Sequence, residues 1–165
     1  DPAISLSEFQ NYMNLSEEER MEVAKNMSRE KAMMIGIMAA KQNTTVNENI
    51  SFPVNQQSQN NTLTGTFTGI GDGFHNVDGV AKVIPVDSGA QILRLENFKA
   101  TNGPDLYVYL SKDKSASDFI NVGRLKGNVG NQNYEIPTGT DLSKYNTVLV
   151  WCRAFSFLFG SAQMS

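Results

Sequence analysis

The feature that most constrains the fold is a change of hydrophobic period near residue 63. From Leu63 onward apolar and polar residues alternate, as in Leu93-Arg94-Leu95-Glu96, which is typical of half-buried β-strands. Turn sequences rich in Gly, Asp and Asn separate these runs. The pattern predicts an all-β domain over residues 63–165, an antiparallel β-sandwich of about eight strands. We expect the strands at Thr64–Thr68, Val80–Val86, Ile92–Phe98, Leu106–Leu110, Phe119–Leu125, Tyr134–Ile136, Thr147–Arg153 and Phe155–Ala162.

Residues 1–41 have helical periodicity instead. Leu6 to Met13 suggest a first short helix, and Ser16 followed by Glu19 is the signature of a capping box that opens a second one. The second helix should extend through the apolar positions Met21, Ala24, Met27, Met34, Ile35 and Met38. This segment therefore predicts a short helical hairpin. It holds six of the seven Met residues, which either pack within the protein or form an adaptable surface for a partner.

Residues 42–62 form a polar linker between the two parts. Fifteen of these twenty-one residues are Asn, Gln, Ser or Thr, too polar to offset the entropy of ordering, so we expect an extended or flexible tether. Acceptor motifs for N-glycosylation are confined to the first 62 residues, at Asn14, Asn26, Asn43, Asn49 and Asn60. With a start at Asp1 rather than Met, they favour an extracellular or cell-surface chain whose signal peptide has been removed.

Composition excludes several classes of function. A net charge of −3, with nine acidic and nine basic residues in the β part, argues against nucleic acid as a partner. No run of 18 apolar residues exists, so we expect no membrane span. A single Cys and a single His exclude a disulfide scaffold and metal sites built from paired Cys or His ligands, and we predict no such metal centre. No Gly-x-Ser-x-Gly motif or distinct carboxylate pair marks a hydrolase.

Cys152 is the first candidate site residue. Its strand, Thr147 to Arg153, is almost continuously apolar, and parity places Cys152 on the same face as Val148 and Val150. Because Arg153 indicates that the other face reaches solvent, the thiol should point to the core. Four interpretations remain: a small buried hydrophobic residue, a redox thiol, a cysteine that forms an intermolecular disulfide, or a thiolate ligand to a haem iron.

His75 is the second candidate. It lies in a turn between Gly71 and Gly79, where a solvated or capping His is the ordinary outcome. If the strands bring it to Cys152, it could lower the pKa of the thiol or supply a second ligand. Nothing in the spacing shows that the two residues meet. Asp72, Asn76 and Asp78 match no calcium loop and are better explained as turn residues.

An ordered series of motifs covers almost the whole β part. It comprises Gly65-Thr66-Phe67, Phe74-His75, Gly79, Leu93-x-Leu95-Glu96-Asn97-Phe98, Gly103-Pro104-Asp105-Leu106-Tyr107-Val108-Tyr109-Leu110-Ser111, Gly123-x-Leu125-Lys126-Gly127-x-x-Gly130, Tyr134-x-Ile136-Pro137, Tyr145 and Val150-Trp151-Cys152-x-x-Phe155-Ser156-x-x-Phe159-Gly160-x-Ala162. This series resembles the DM-thirteen domain, an extracellular module of Skeletor-type proteins, over residues 63–163.

The resemblance implies a β-sandwich that acts in electron transfer. Its characteristic cysteine and histidine match Cys152 and His75. The cofactor is left open, with a haem-like group as one candidate, and the electron partner would be a separate redox or cell-surface protein, reached through the Met-rich helices. The alternative is a non-enzymatic surface module that binds glycan or protein. A thiol near His75 beside a cavity would favour the first function, and exposed aromatic residues at one end of the sandwich would favour the second.

Overall fold

The computed structural model describes residues 4–54 and 62–165. Its β part contains eight antiparallel strands, so the predicted strand count is confirmed. The strands are β1 (Thr64–Gly69), β2 (Val77–Pro85), β3 (Gln91–Ala100), β4 (Leu106–Ser111), β5 (Phe119–Arg124), β6 (Gln132–Ile136), β7 (Thr147–Cys152) and β8 (Phe157–Gln163).

The strands are hydrogen-bonded in the order β5-β4-β7-β8-β1-β2-β3-β6. Strand β1 joins two sheets, because Thr64–Thr66 pair with β2 whereas Phe67–Gly69 pair with β8. The sheet curls until its two outer strands, β5 and β6, come into contact. The result is a nearly closed antiparallel sandwich, as the periodicity predicts.

Strands β4 and β7 show the alternation from which the sequence predicts their faces. Val108, Val148 and Val150 are buried in the main core, together with Cys152. The alternate residues Tyr107, Tyr109 and Leu149 form a separate buried cluster on the outer side of the sheet, beneath Trp151 and Leu158. The predicted inward direction of Cys152 is therefore confirmed. The second face is also largely covered, by its own aromatic layer.

The last strand begins later than its apolar pattern predicts. Residues 153–156 form a tight turn between β7 and β8, in which Ser156 has a φ of 50° and its N–H donates to the Arg153 carbonyl at 3.4 Å. Phe155 therefore belongs to the turn rather than to β8, and its ring is free to pack away from the sheet.

Three helices precede the β part: α1 (Leu6–Met13), α2 (Glu17–Lys25) and α3 (Arg29–Ala40). The capping box is present, since the Ser16 hydroxyl accepts from the Glu19 N–H and the Glu19 carboxylate accepts from the Ser16 N–H. The long second helix of the expected hairpin is divided because the chain leaves the helical conformation at Asn26 and Ser28 caps a new helix. No helix in the described residues is long and apolar enough to cross a membrane.

The helical segment packs on one end of the β-sandwich. Phe9, Tyr12, Ile35 and Ala39 form its buried core, and Phe155 from the β7–β8 turn packs against them. The rings of Tyr12 and Phe155 are stacked with their centroids 6.3 Å apart. Half of the helical Met residues, Met13, Met27 and Met38, line this core. Half of the helical Met residues thus serve internal packing, whereas Met33 is exposed.

An ion pair also joins the helices to the sandwich. Arg20 of α2 donates to the Asp105 carboxylate, with its Nε 3.2 Å and its Nη2 3.0 Å from Oδ1, and both side chains are buried. Arg124 of β5 contacts the same oxygen at 2.9 Å. Asp105 directly precedes β4, so this contact fixes α2 over the end of the sandwich where β7 ends.

The described part of the polar segment, residues 42–54, is extended and docked. The Val46 N–H donates to the Val129 carbonyl at 2.9 Å, and the Glu48 N–H donates to the Asn131 carbonyl at 2.8 Å. The Glu48 carboxylate also contacts Lys126 at 2.8 Å. An extended segment agrees with the sequence, whereas its pairing with the β part was not predicted. The division of the chain into a helical segment, a linker and a β domain, with boundaries after residues 41 and 62, stays a prediction.

Candidate functional site

The strand order brings Cys152 and His75 to the same end of the sandwich. Strand β8 runs antiparallel to both β7 and β1, so its first residues lie beside the last residues of both neighbours. Cys152 closes β7 and pairs with Phe157. His75 lies in the loop that follows β1. Sequence spacing could not show this proximity, because it depends on β8 inserting between two strands that are distant in the chain.

A cavity of about 660 Å³ lies at this end, between the sandwich and α3. Both Cys152 and His75 line it. Its volume is within the range of ligand-binding pockets, roughly 300–1,000 Å³. Its wall is mainly apolar and aromatic, and the residues that line it are Arg29, Ala32, Met33, Gly36, Ile37, Phe74, His75, Pro104, Cys152, Phe155, Phe157 and Phe159.

Cys152 is a buried residue of this wall, with 1% of its surface exposed. Burial raises the pKa of its thiol to about 12; backbone hydrogen bonds from Phe155 oppose the rise, and the nearby Asp105 carboxylate adds to it. The free protein therefore holds Cys152 as a neutral thiol. The thiolate form is therefore scarce at neutral pH.

His75 is held in place by Asp72. Its Nδ1 lies 2.5 Å from Asp72 Oδ2, and the Asp72 Oδ1 accepts from the backbone N–H groups of Phe74 and His75. The side-chain hydrogen bond from His75, with the two backbone bonds, lowers the pKa of the Asp72 carboxyl to about 2. Because the Nδ1–H donates to the Asp72 carboxylate, the second ring nitrogen, Nε2, is left as the one with a free lone pair that can bind a metal.

Aromatic rings surround the imidazole. The His75 ring centroid is 4.4 Å from that of Phe159, 4.7 Å from Phe157 and 4.9 Å from Phe74. Phe74 and Phe157 are 42% and 39% exposed. The structure therefore shows both of the features that the sequence analysis set against each other: a thiol and an imidazole on one cavity, and exposed aromatic residues at one end of the sandwich.

Four of the five predicted glycosylation sites lie at exposed positions: Asn14, Asn26, Asn43 and Asn49. Asn60 lies outside the described residues. Two of the acceptor motifs also serve the fold, because their hydroxyls, on Ser16 and Ser28, cap α2 and α3. Whether any of these sites carries a glycan stays a prediction.

Two parts of the site were missed from the sequence. Asp72 is the turn residue that the sequence predicts, because its Oδ1 accepts from the N–H groups of Phe74 and His75, but its contact with the His75 imidazole was missed. The spacing of three residues within a Gly-rich turn is compatible with that contact. The wall provided by α3 was not foreseen either. Its one sequence signal is Gly36, because an isolated glycine inside a helix usually has a packing or functional reason.

The fold and the cavity define a small β-sandwich module that presents one thiol and one imidazole to a ligand-sized space. A family model described as "Electron transfer DM13" matches residues 69–164. The chain therefore belongs to the DM13 family of electron-transfer domains, as its motifs suggest. No curated protein and no solved structure showed significant similarity to the chain. All three helices precede the matched region.

Proposed function

We propose that this protein is an extracytoplasmic electron-transfer accessory that binds a redox group in the cavity, with Cys152 as a ligand. The observation that carries the proposal is that Cys152 and His75, distant in sequence, line one apolar cavity of about 660 Å³. Membership of an electron-transfer family supports a redox role. The part played by Cys152 is inferred from the geometry of its surroundings.

Burial helps to choose between the two redox interpretations of Cys152. A bare redox thiol must be exposed and must reach the thiolate form near neutral pH. Cys152 is buried, and burial raises the pKa of its thiol to about 12. A bound metal ion removes this obstacle, because a coordinating thiol is deprotonated by the charge of the metal. Burial thus argues against a bare thiol and is compatible with a ligand.

The donor set fits a haem-like group. A thiolate and an imidazole are both established ligands of haem iron, and apolar aromatic walls suit a flat ring. Cys152 and His75 would hold the group, and the group would supply one-electron transfer. Asp72 would keep the imidazole in one orientation and tautomer, as carboxylates do behind metal-bound histidines.

The extracytoplasmic setting rests on the glycosylation motifs. Four of the five acceptor Asn residues are exposed in the folded chain, which leaves them accessible to a glycan. The electron partner would be a separate protein that approaches the exposed mouth of the cavity at Phe74 and Phe157. The exposed Met33 of α3 also lies there, so the Met-rich segment would contribute to that surface.

The exposed aromatic residues at the opening of the cavity, Phe74 and Phe157, favour a second candidate function, which is binding of a protein or glycan. Exposed aromatic rings with an apolar hollow behind them are typical of binding sites for proteins or small molecules. In this case the domain would be a non-catalytic surface module, and Cys152 would be a packing residue.

An absorption spectrum and a metal analysis of the full chain, purified from its native compartment, distinguish the two candidates. The electron-transfer function predicts a visible band or one equivalent of a transition metal, lost in Cys152→Ala. Val150→Ala is the matched control, because Val150 lies on the same face of β7 and is fully buried but does not line the cavity. A colourless, metal-free wild type, or a chromophore unaffected by Cys152→Ala, would contradict the proposal.

A further inference from the structure

One wall of the cavity comes from outside the family domain. The matched region covers residues 69–164, whereas five of the lining residues belong to α3. These five, Arg29, Ala32, Met33, Gly36 and Ile37, follow the spacing i, i+3, i+4, i+7 and i+8. That spacing defines a single face of a helix. A complete face of α3 is therefore turned to the cavity.

The middle of this face has no side chain at all. A Cβ added at Gly36 would meet no atom within 4 Å outside its own helix. Packing against the protein therefore does not require glycine here, although glycine weakens a helix interior relative to alanine. Together with Ala32, one turn earlier, Gly36 forms a flat strip of helix. The rings of Phe157 and Phe159 stand on the sandwich side of the same cavity. The space between suits a flat molecule.

The described residues that line the cavity carry positive charge only, at Arg29. Among the described residues that line the cavity, Arg29 is the one with a permanent charge, and none is a carboxylate. Among the described residues Arg29 makes no ion pair. Asp72, the carboxylate behind His75, is already bound to that imidazole. A guanidinium at the edge of an apolar pocket favours a carboxylate, which it can bind with two parallel hydrogen bonds.

We propose that α3 completes the binding site and that the cavity selects a flat, mainly apolar ring system that carries a carboxylate. The ring lies between the Ala32–Gly36 strip and the phenylalanines, and the carboxylate lies at Arg29. This inference rests on the proposed function and names the chemical class of its ligand. It also gives the helical segment a role in the site that the family domain alone does not have.

The test uses a metal-free ring, so that binding does not depend on Cys152. Protoporphyrin IX and its dimethyl ester share one ring, but only the former carries carboxylates. Binding of each to the full chain is measured from the change in porphyrin fluorescence. We expect the free acid to bind more tightly than the ester. Arg29→Gln should weaken binding of the acid about three- to tenfold and leave the ester unchanged. Lys31→Gln, which removes a charge outside the cavity face, is the matched control.

A second experiment tests the flat strip at Ala32 and Gly36 by enlarging the side chain at position 36. Gly36→Leu should abolish binding of both porphyrins, whereas Gly36→Ala should retain most of it, because a methyl group occupies little of the cavity. Both changes favour the helix, so loss of binding cannot be ascribed to unfolding of α3. A thermal melt confirms the fold of each variant.

Four results would overturn the inference: equal affinity for acid and ester, equal effects of Arg29→Gln and Lys31→Gln, normal binding to Gly36→Leu, or no porphyrin binding by the wild type. Formation of a dimer that buries the cavity and excludes porphyrin would also overturn it. Each result is separate from failure of the proposed function, which is judged by the native chromophore and its dependence on Cys152.

Discussion

At the scale of single residues, the account depends on how deeply Cys152 is buried. A buried thiol whose pKa is raised to about 12 is protected both by packing and by the scarcity of its thiolate. We predict that native protein without a bound group reacts with a thiol reagent at least about 100-fold more slowly at pH 7 than protein unfolded in urea. Because Cys152 is the one cysteine in the chain, the reagent reports on it alone.

The pH dependence of the same reaction is a further part of this prediction. Between pH 7 and 10 the native rate should keep rising with pH and reach no plateau, since the thiolate fraction is still increasing. Rapid, stoichiometric labelling of the native protein at neutral pH would show that Cys152 is exposed, which would revive the bare-thiol interpretation.

Asp72 gives a second prediction at this scale. Its hydrogen bond from His75 lowers the pKa of the carboxyl to about 2, below its ordinary value near 3.8. A carboxyl whose pKa is lower in the folded state contributes stability above its unfolded pKa and loses it as the pH falls through the folded pKa. The free energy of unfolding of Asp72→Asn should therefore fall below that of wild type above pH 4, and the gap should narrow between pH 4 and 2.

Urea unfolding at a series of pH values measures this gap. Asp78→Asn, which removes an exposed carboxylate from β2, controls for the loss of one negative charge. A constant difference between wild type and Asp72→Asn over the whole range would mean that the Asp72–His75 contact does not form in solution.

At the scale of elements, a buried ion pair between Arg20 and Asp105 helps to hold the helices on the sandwich. Removing one member of such a pair leaves a buried charge and costs about 3–5 kcal/mol. Arg20, 4% exposed, and Asp105, fully buried, are such a pair. Because Arg124 still contacts Asp105 at 2.9 Å when Arg20 is removed, Arg20→Met should lower the free energy of unfolding by about 3 kcal/mol, the lower end of that range. Lys25→Met, which removes an exposed contact with Glu22, should change it by less than about 0.5 kcal/mol.

The same variant carries a pH signature. Burial raises the pKa of Asp105, and Arg20 opposes that rise. Without Arg20 the pKa of Asp105 in the folded state should rise further above its ordinary value. The loss in free energy of unfolding caused by Arg20→Met should therefore be smaller at pH 5 than at pH 8. An equal deficit at both values in urea unfolding would show that Asp105 is not left as a buried charge.

The docked segment around Val46 depends on Gly130. Gly130 has a φ of 113°, and a Cβ there would collide with the Val46 carbonyl oxygen. Gly130→Ala should therefore release residues 44–48, seen as faster hydrogen exchange of the Val46 and Glu48 amides. Gly139→Ala is the control, since Gly139 also has a positive φ but an open surrounding. Gly139→Ala should lower the free energy of unfolding by about 1 kcal/mol and leave the Val46 and Glu48 amides protected from hydrogen exchange. Equal exchange in both variants would contradict the docking.

At the scale of the whole molecule, the sequence predicted what local periodicity controls. The apolar run of β7 predicted the strand, and the parity of Cys152 with Val148 and Val150 predicted its inward direction, because side chains on a strand alternate between faces. The capping box located the start of α2 from two residues. These features are predictable from sequence because they depend only on residues close to one another in the chain.

Features that depend on contacts between distant segments were not predictable in this way. That His75 and Cys152 share a cavity depends on β8 lying between β1 and β7. The wall from α3 depends on Phe155 leaving the sheet at a turn, where its apolar character suggested a strand instead. Residues 43–49 looked like a free tether because their side chains are polar, yet hydrogen bonds to residues 128–133 hold them in place.

The central claim is that the cavity holds a redox group through Cys152, and a redox titration of the native full-length protein tests it most directly. Wild type, Cys152→Ala and Val150→Ala are titrated electrochemically while the visible spectrum is followed. The account predicts a reversible one-electron transition in wild type and in Val150→Ala that is lost or strongly shifted in Cys152→Ala. A protein that takes up no electrons, or a transition with the same potential in all three, would contradict it.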